Sequence, residues 1–139
     1  LGLIAFYALN YFGFDVYFVE VTTLFDIKYK YSPHQLRDHN MLVVKNCEGL
    51  DYIVEVMISF RSIKHPLPFD FSKSVTQEIE IEPHKRYRLL NFGDHYVFSS
   101  NFLTKNSDSW IDYFFFPNPL ELVGLKEIKQ AYWRIHYTL

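Results

Sequence analysis

Apolar and polar residues alternate along much of this chain. In "LFDIKYKY", Phe25, Ile27, Tyr29 and Tyr31 share one face of an extended segment, and Asp26, Lys28 and Lys30 share the other. Period-two alternation is the mark of a strand with one wet face, the antiparallel type. "VTQEIEIE" repeats it, with Val75, Ile79 and Ile81 facing in and Thr76, Glu78, Glu80 and Glu82 facing out. "DYIVEVMISF" puts Tyr52, Val54, Val56, Ile58 and Phe60 on one side and a mixed set on the other. That pattern suits a strand inside a sheet.

Turn chemistry separates these runs. "NCEGLD" follows "MLVVK" and offers Gly49 for a positive φ, so it reads as a hairpin connection. "EPHK" between "EIEI" and "RYRLLNF" reads as another. "FGDH" leads into "YVFSSNFL", and "TKNSDS" separates that run from "WIDYFFF". Pro66 and Pro68 argue for a loop or an edge strand around "KHPLPFDF".

Two segments read as helical. "SPHQLRD" has Ser32 as a cap and Pro33 in the first helical position. "NPLELVGLKEIKQAY" has Asn118 as a cap and Pro119 near its start, and Leu122, Leu125 and Ile128 recur at helical spacing. "YWRIHYTL" alternates again and reads as a closing strand. With no internal repeat or flexible linker, these elements predict one domain over residues 1–139. It is mainly β, an antiparallel sandwich of about seven to nine short strands, with one short helix near residues 119–131. A sandwich is preferred to a barrel because the prolines and the late helix interrupt an up-and-down meander.

The opening "LGLIAFYALNYFGF" carries no charge before Asp15. It is shorter than the roughly 20 apolar residues a spanning helix needs. Three readings fit it: a buried first element, the stub of a membrane anchor, or a segment docking on a partner protein. For docking, Leu3, Phe6, Tyr7 and Phe14 are the candidate interface residues.

A length of 139 residues suffices for one proper core. Phe (14) and Tyr (11) far outnumber Gly (5), which favours pleated, half-buried surfaces, although an AT-rich genome gives the same bias. Net charge is −2, and the basic cluster Lys85, Arg86 and Arg88 lies beside Glu78, Glu80 and Glu82. No basic stripe remains for nucleic acid. The lone Cys47 cannot form an internal disulfide and reads as a buried thiol.

Chemistry is sparse. The tightest histidine group is "HQLRDH", with His34, Asp38 and His39, and its i, i+5 spacing points the two rings apart on a helix. No metal or cofactor site is expected. There is no nucleophile elbow, and Cys47 has no histidine close in sequence. Of the carboxylates, which include Asp15, Glu20, Glu48, Asp70, Asp94 and Asp108, Glu55 stands out for its place in a central strand. Trp110 and Asp112, with Phe114, fall on one face of "SWIDYFFF" and form a candidate sugar platform or interface.

These observations lead to the expectation of a non-catalytic β-sandwich module that binds a protein partner, not an enzyme. It would be an accessory or structural subunit of an envelope- or membrane-associated assembly rather than a cytoplasmic protein. A carbohydrate-binding module using Trp110 and Asp112 is the second expectation. The third is a small enzyme with a site around Glu55 and a histidine from a distant strand. Convergence of Glu55 with a histidine is the observation that separates the third from the other two.

Overall fold

A computed structural model describes residues 2–24, 39–56, 63, 65–83, 85–102 and 109–127. The elements are α1 (Gly2–Tyr11), β1 (Asp15–Thr23), β2 (His39–Cys47), β3 (Leu50–Val54), β4 (Leu67–Phe69), β5 (Gln77–Glu82), β6 (Lys85–Asn91), β7 (His95–Phe102), β8 (Ile111–Pro117) and β9 (Leu122–Val123). The strands form one antiparallel sheet in the order β4-β3-β2-β1-β8-β7-β6-β5. β9 pairs with the first half of β1, and β8 pairs with its second half.

The expected antiparallel, mainly β class is what the structure shows. The two layers of the expected sandwich are one continuous sheet, curled until it nearly closes as a barrel. The prolines do not interrupt it. Pro68 sits in β4, an edge strand, where a missing N–H costs no ladder bond.

Where β4 and β5 face each other no backbone ladder runs, and side chains bridge the seam. Gln77 accepts from the Asp70 backbone N–H at 2.8 Å through Oε1 and donates to the Asp70 carbonyl at 2.8 Å through Nε2. At the other end of the seam, His65 Nε2 lies 3.0 Å from Glu82 Oε1.

The barrel interior is the main core. Val19, Val21, Met41, Val43, Ile53, Leu67, Phe69, Tyr87, Leu89, Tyr96, Phe98, Phe114 and Phe116 are buried together in it. On β3 the inner face is the mixed one, because Ile53 joins this core while Tyr52 and Val54 pack outside under α1. The hairpin at "NCEGLD" forms as expected, with Gly49 at φ 83°. So does the one at "EPHK", which pairs Glu80 with Arg86 and Glu82 with Lys85.

The opening segment forms α1, which lies on the outer wall formed by β1 and β2. Phe6 stacks on Phe18 with centroids 4.9 Å apart and joins Val16, Leu42 and Val44 in a second core. The helix ends in a Schellman turn. Phe14 N–H reaches Leu9 O at 3.1 Å and Gly13 N–H reaches Asn10 O at 2.9 Å, with Gly13 at φ 87°. Ile4 and Tyr11 remain 70% and 87% exposed, so α1 is a half-covered apolar helix. No helix among the described residues is long and apolar enough to cross a membrane.

The helix expected near residues 119–131 differs. Leu122–Val123 is strand β9, and helix begins only at Leu125, running to the edge of the described residues. Asn118 is not a cap. Its side chain ties the β6–β7 turn to β8 by donating to Gly93 O at 2.9 Å and Asn91 Oδ1 at 3.1 Å. The strand at Phe25–Tyr31, the helix at "SPHQLRD" and the closing strand "YWRIHYTL" lie outside the described residues.

Candidate active site

Inner-face positions of β2 and β3 carry polar groups at one end of the barrel. His39 opens β2 on the same face as Met41 and Val43, and Glu55 follows Ile53 on the inner face just past β3. The hairpin between them brings the two side chains together, and His39 Nε2 lies 2.8 Å from Glu55 Oε2. The Glu55 side chain is 3% exposed and that of His39 is 20% exposed. A carboxylate accepts, so Nε2 carries the proton and Nδ1 is left as the basic nitrogen. Nδ1 makes no hydrogen bond to any described residue.

The arrangement has the parts of a general base with its orienting group. Glu55 fixes the tautomer and can stabilise an imidazolium when Nδ1 takes a proton. The surroundings are aromatic. His39 stacks on Phe114 from β8 with centroids 5.4 Å apart and planes 17° apart. Phe114 pairs with Thr23 across the β1–β8 ladder. At the same end of the barrel, burial pushes the Tyr87 hydroxyl above its usual value of 10. Ser100, opposite Tyr87, buries its hydroxyl with no hydrogen-bond partner among the described residues.

No described hydroxyl or thiol hydrogen-bonds to His39. Cys47 closes the strand that His39 opens. At about 3.3 Å per residue the two are roughly 25 Å apart, so Cys47 is not a nucleophile for this base. A cavity of about 390 Å³ opens at the far end of the barrel, between Lys45, Asp51, Phe71, Tyr96 and Leu120, away from the pair.

The other expected positions fall elsewhere. His34 and Asp38 lie outside the described residues, and among those described no group of three metal-ligating side chains gathers. Phe6 of the interface set is buried against the barrel, whereas Leu3, Tyr7 and Phe14 are exposed. Trp110 and Asp112 belong to the outer face, but Phe114 points inward. A β-bulge in the β7–β8 register separates them, with Phe98 opposite Phe114 and Ser99 opposite Asp112. The Trp110 ring is engaged by Arg88, 4.3 Å from its centroid, and Arg86, at 5.4 Å. Asp112 accepts from Ser99 Oγ at 2.6 Å.

The fold is similar to that of an enzyme, the arylamine N-acetyltransferase (NAT) from Salmonella typhimurium. The TM-score is 0.65 at 18% identity, over 96% of this chain and 44% of that one. The chain therefore spans less than half the length of that enzyme. No protein-family profile matches the sequence, and a search by sequence finds no curated relative. The likeness corrects the expectation of a non-catalytic interaction module that is not an enzyme. The matched fold is an enzyme's, and Glu55 and a histidine distant in sequence do converge. Nothing in the structure supports the envelope- or membrane-associated role attached to that expectation.

The sequence points to Glu55 with a histidine from a distant strand, and the structure identifies that histidine as His39, which the sequence groups with His34 and Asp38. The available signal was parity. Glu55 shares the inner face with Ile53 in a run whose opposite face is wholly apolar, and a carboxylate there needs a buried partner.

Proposed function

We propose that this chain carries the base and orienting carboxylate of an acyl-transfer enzyme, with an aromatic amine as acyl acceptor. The half-buried contact between His39 Nε2 and Glu55 Oε2 at a barrel end carries the reading. The fold likeness to an arylamine N-acetyltransferase suggests the reaction class. No described hydroxyl or thiol is assigned as the nucleophile, since none hydrogen-bonds to His39.

The chemistry balances in two displacements. As the nucleophile attacks the acyl carbon of an ester or thioester donor, its proton passes to His39 Nδ1. The tetrahedral intermediate collapses, the bond to the donor's oxygen or sulfur breaks, and the leaving group takes that proton. The amine then attacks the acyl-enzyme and gives a proton to Nδ1. That proton returns to the nucleophile as the amide leaves. Glu55 accepts from Nε2–H throughout and stabilises the imidazolium in both halves.

The test is acetyl transfer from p-nitrophenyl acetate to aniline, with His39→Gln and Glu55→Gln variants. Transfer in the unaltered protein, lowered by about two orders of magnitude or more in His39→Gln, is expected. Equal rates in the unaltered protein and His39→Gln would remove the reading.

A further inference from the structure

We infer that Phe114 is a positioning residue for His39, holding the imidazole plane in which Nδ1 acts. The inference rests on the base role proposed for His39. One hydrogen bond to Glu55 decides which nitrogen faces the carboxylate, but it leaves the ring free to swing about that contact. A flat partner removes this freedom. Phe114 supplies one, with its ring 5.4 Å from that of His39 and only 17° from parallel.

Phe114 is itself fixed. It is 5% exposed and lies near-parallel to Phe98, at 6.2 Å and 24°. Phe98 in turn stacks on Tyr87 at 5.9 Å and 17°. His39, Phe114, Phe98 and Tyr87 thus make a column of rings from β2 through β8 and β7 to β6. The β-bulge beside Phe114 serves this arrangement. It inserts Tyr113 as the extra residue of the β7–β8 register and lets Asp112 face outward while Phe114 faces the barrel. Bulges commonly re-aim a side chain beside an active site. An aliphatic residue of similar volume would fill the space but offer no flat face.

The experiment compares Phe114→Leu, Phe114→Met and Phe114→Tyr by two readouts. In acetyl transfer from p-nitrophenyl acetate to aniline, Leu and Met should lower kcat about tenfold with KM held within about twofold, and Tyr should restore kcat. In NMR spectra of the unacylated protein, the His39 ring protons should lose their ring-current displacement in Leu and Met but keep it in Tyr. Met serves if Leu fails to fold. Wild-type kcat in Leu and Met, or equal loss in Tyr, overturns the inference. If no variant, including the unaltered protein, transfers acetyl groups, the functional reading falls. The NMR comparison then decides the role of Phe114 alone, and unchanged His39 ring shifts in Leu overturn it.

Discussion

Glu55 stands one pleat away from His39 across the β2–β3 hairpin. The ladder pairs Leu42 with Val54, so Glu55 falls opposite Met41 and diagonal to His39 on the inner face. Diagonal neighbours on a sheet are within reach of long side chains. The 2.8 Å contact is therefore a consequence of register. A slip of one residue would send Glu55 to the outer face beneath α1.

Removing the carboxylate should cost stability as well as activity. Glu55→Ala strips a half-buried histidine of its acceptor, and such losses run to about 1–3 kcal/mol. Glu55→Gln keeps the volume and an acceptor oxygen, so it should be the milder change in a urea titration while still impairing acyl transfer. Equal stability of Ala and Gln would show that the contact is not formed in solution.

The β4–β5 seam depends on Gln77. Gln77→Ala removes both bonds to the Asp70 backbone and leaves that N–H without its acceptor. A loss of about 1–3 kcal/mol is expected. Amide exchange should quicken in β4 and β5 and stay slow in β1 and β2.

Acid should loosen the other end of that seam. Hydrogen bonds from Lys85, and secondarily His65, hold the Glu82 carboxyl below its usual 4.5. A depressed carboxylate contributes stability above its unfolded value and loses it as pH falls through the folded one. Stability should therefore drop between about pH 5 and pH 2, with a shallower drop in Glu82→Gln. The partners are partly exposed, so high salt should flatten the difference. An identical pH profile in Glu82→Gln would refute this.

Phe6 and Tyr11 share α1 but not its consequences. Phe6 is buried on Phe18, and Phe6→Ala should cost about 3 kcal/mol in a urea titration. Tyr11 is 87% exposed, and Tyr11→Ser should stay within about 0.5 kcal/mol of the unaltered protein.

The strands with clean alternation were legible. "QEIEIE" and the hairpins at Gly49 and "EPHK" formed because turn residues and one-sided patterns agree. The start of the helix expected near residues 119–131 was not, because Asn118 spends its side chain on Asn91 and Gly93, and Leu122 is drawn into pairing with β1. Tertiary bonds outweighed local propensity there. Closure of the sheet was hidden too, because it depends on how β4 and β5 approach. Glu55 was legible as a candidate, but its partner His39 was not, because the two lie sixteen apart and meet only through hairpin register. The face of Phe114 was misjudged because a bulge breaks parity without a glycine to announce it.

The most direct measurement follows the acyl group itself. The protein is exposed briefly to p-nitrophenyl acetate, and its intact mass is read before and after adding aniline. An acetyl adduct should appear, leave when aniline arrives, and fail to form in His39→Gln. An adduct that forms equally well in His39→Gln, that persists in aniline, or that never forms would contradict an acyl transfer run by His39 and Glu55.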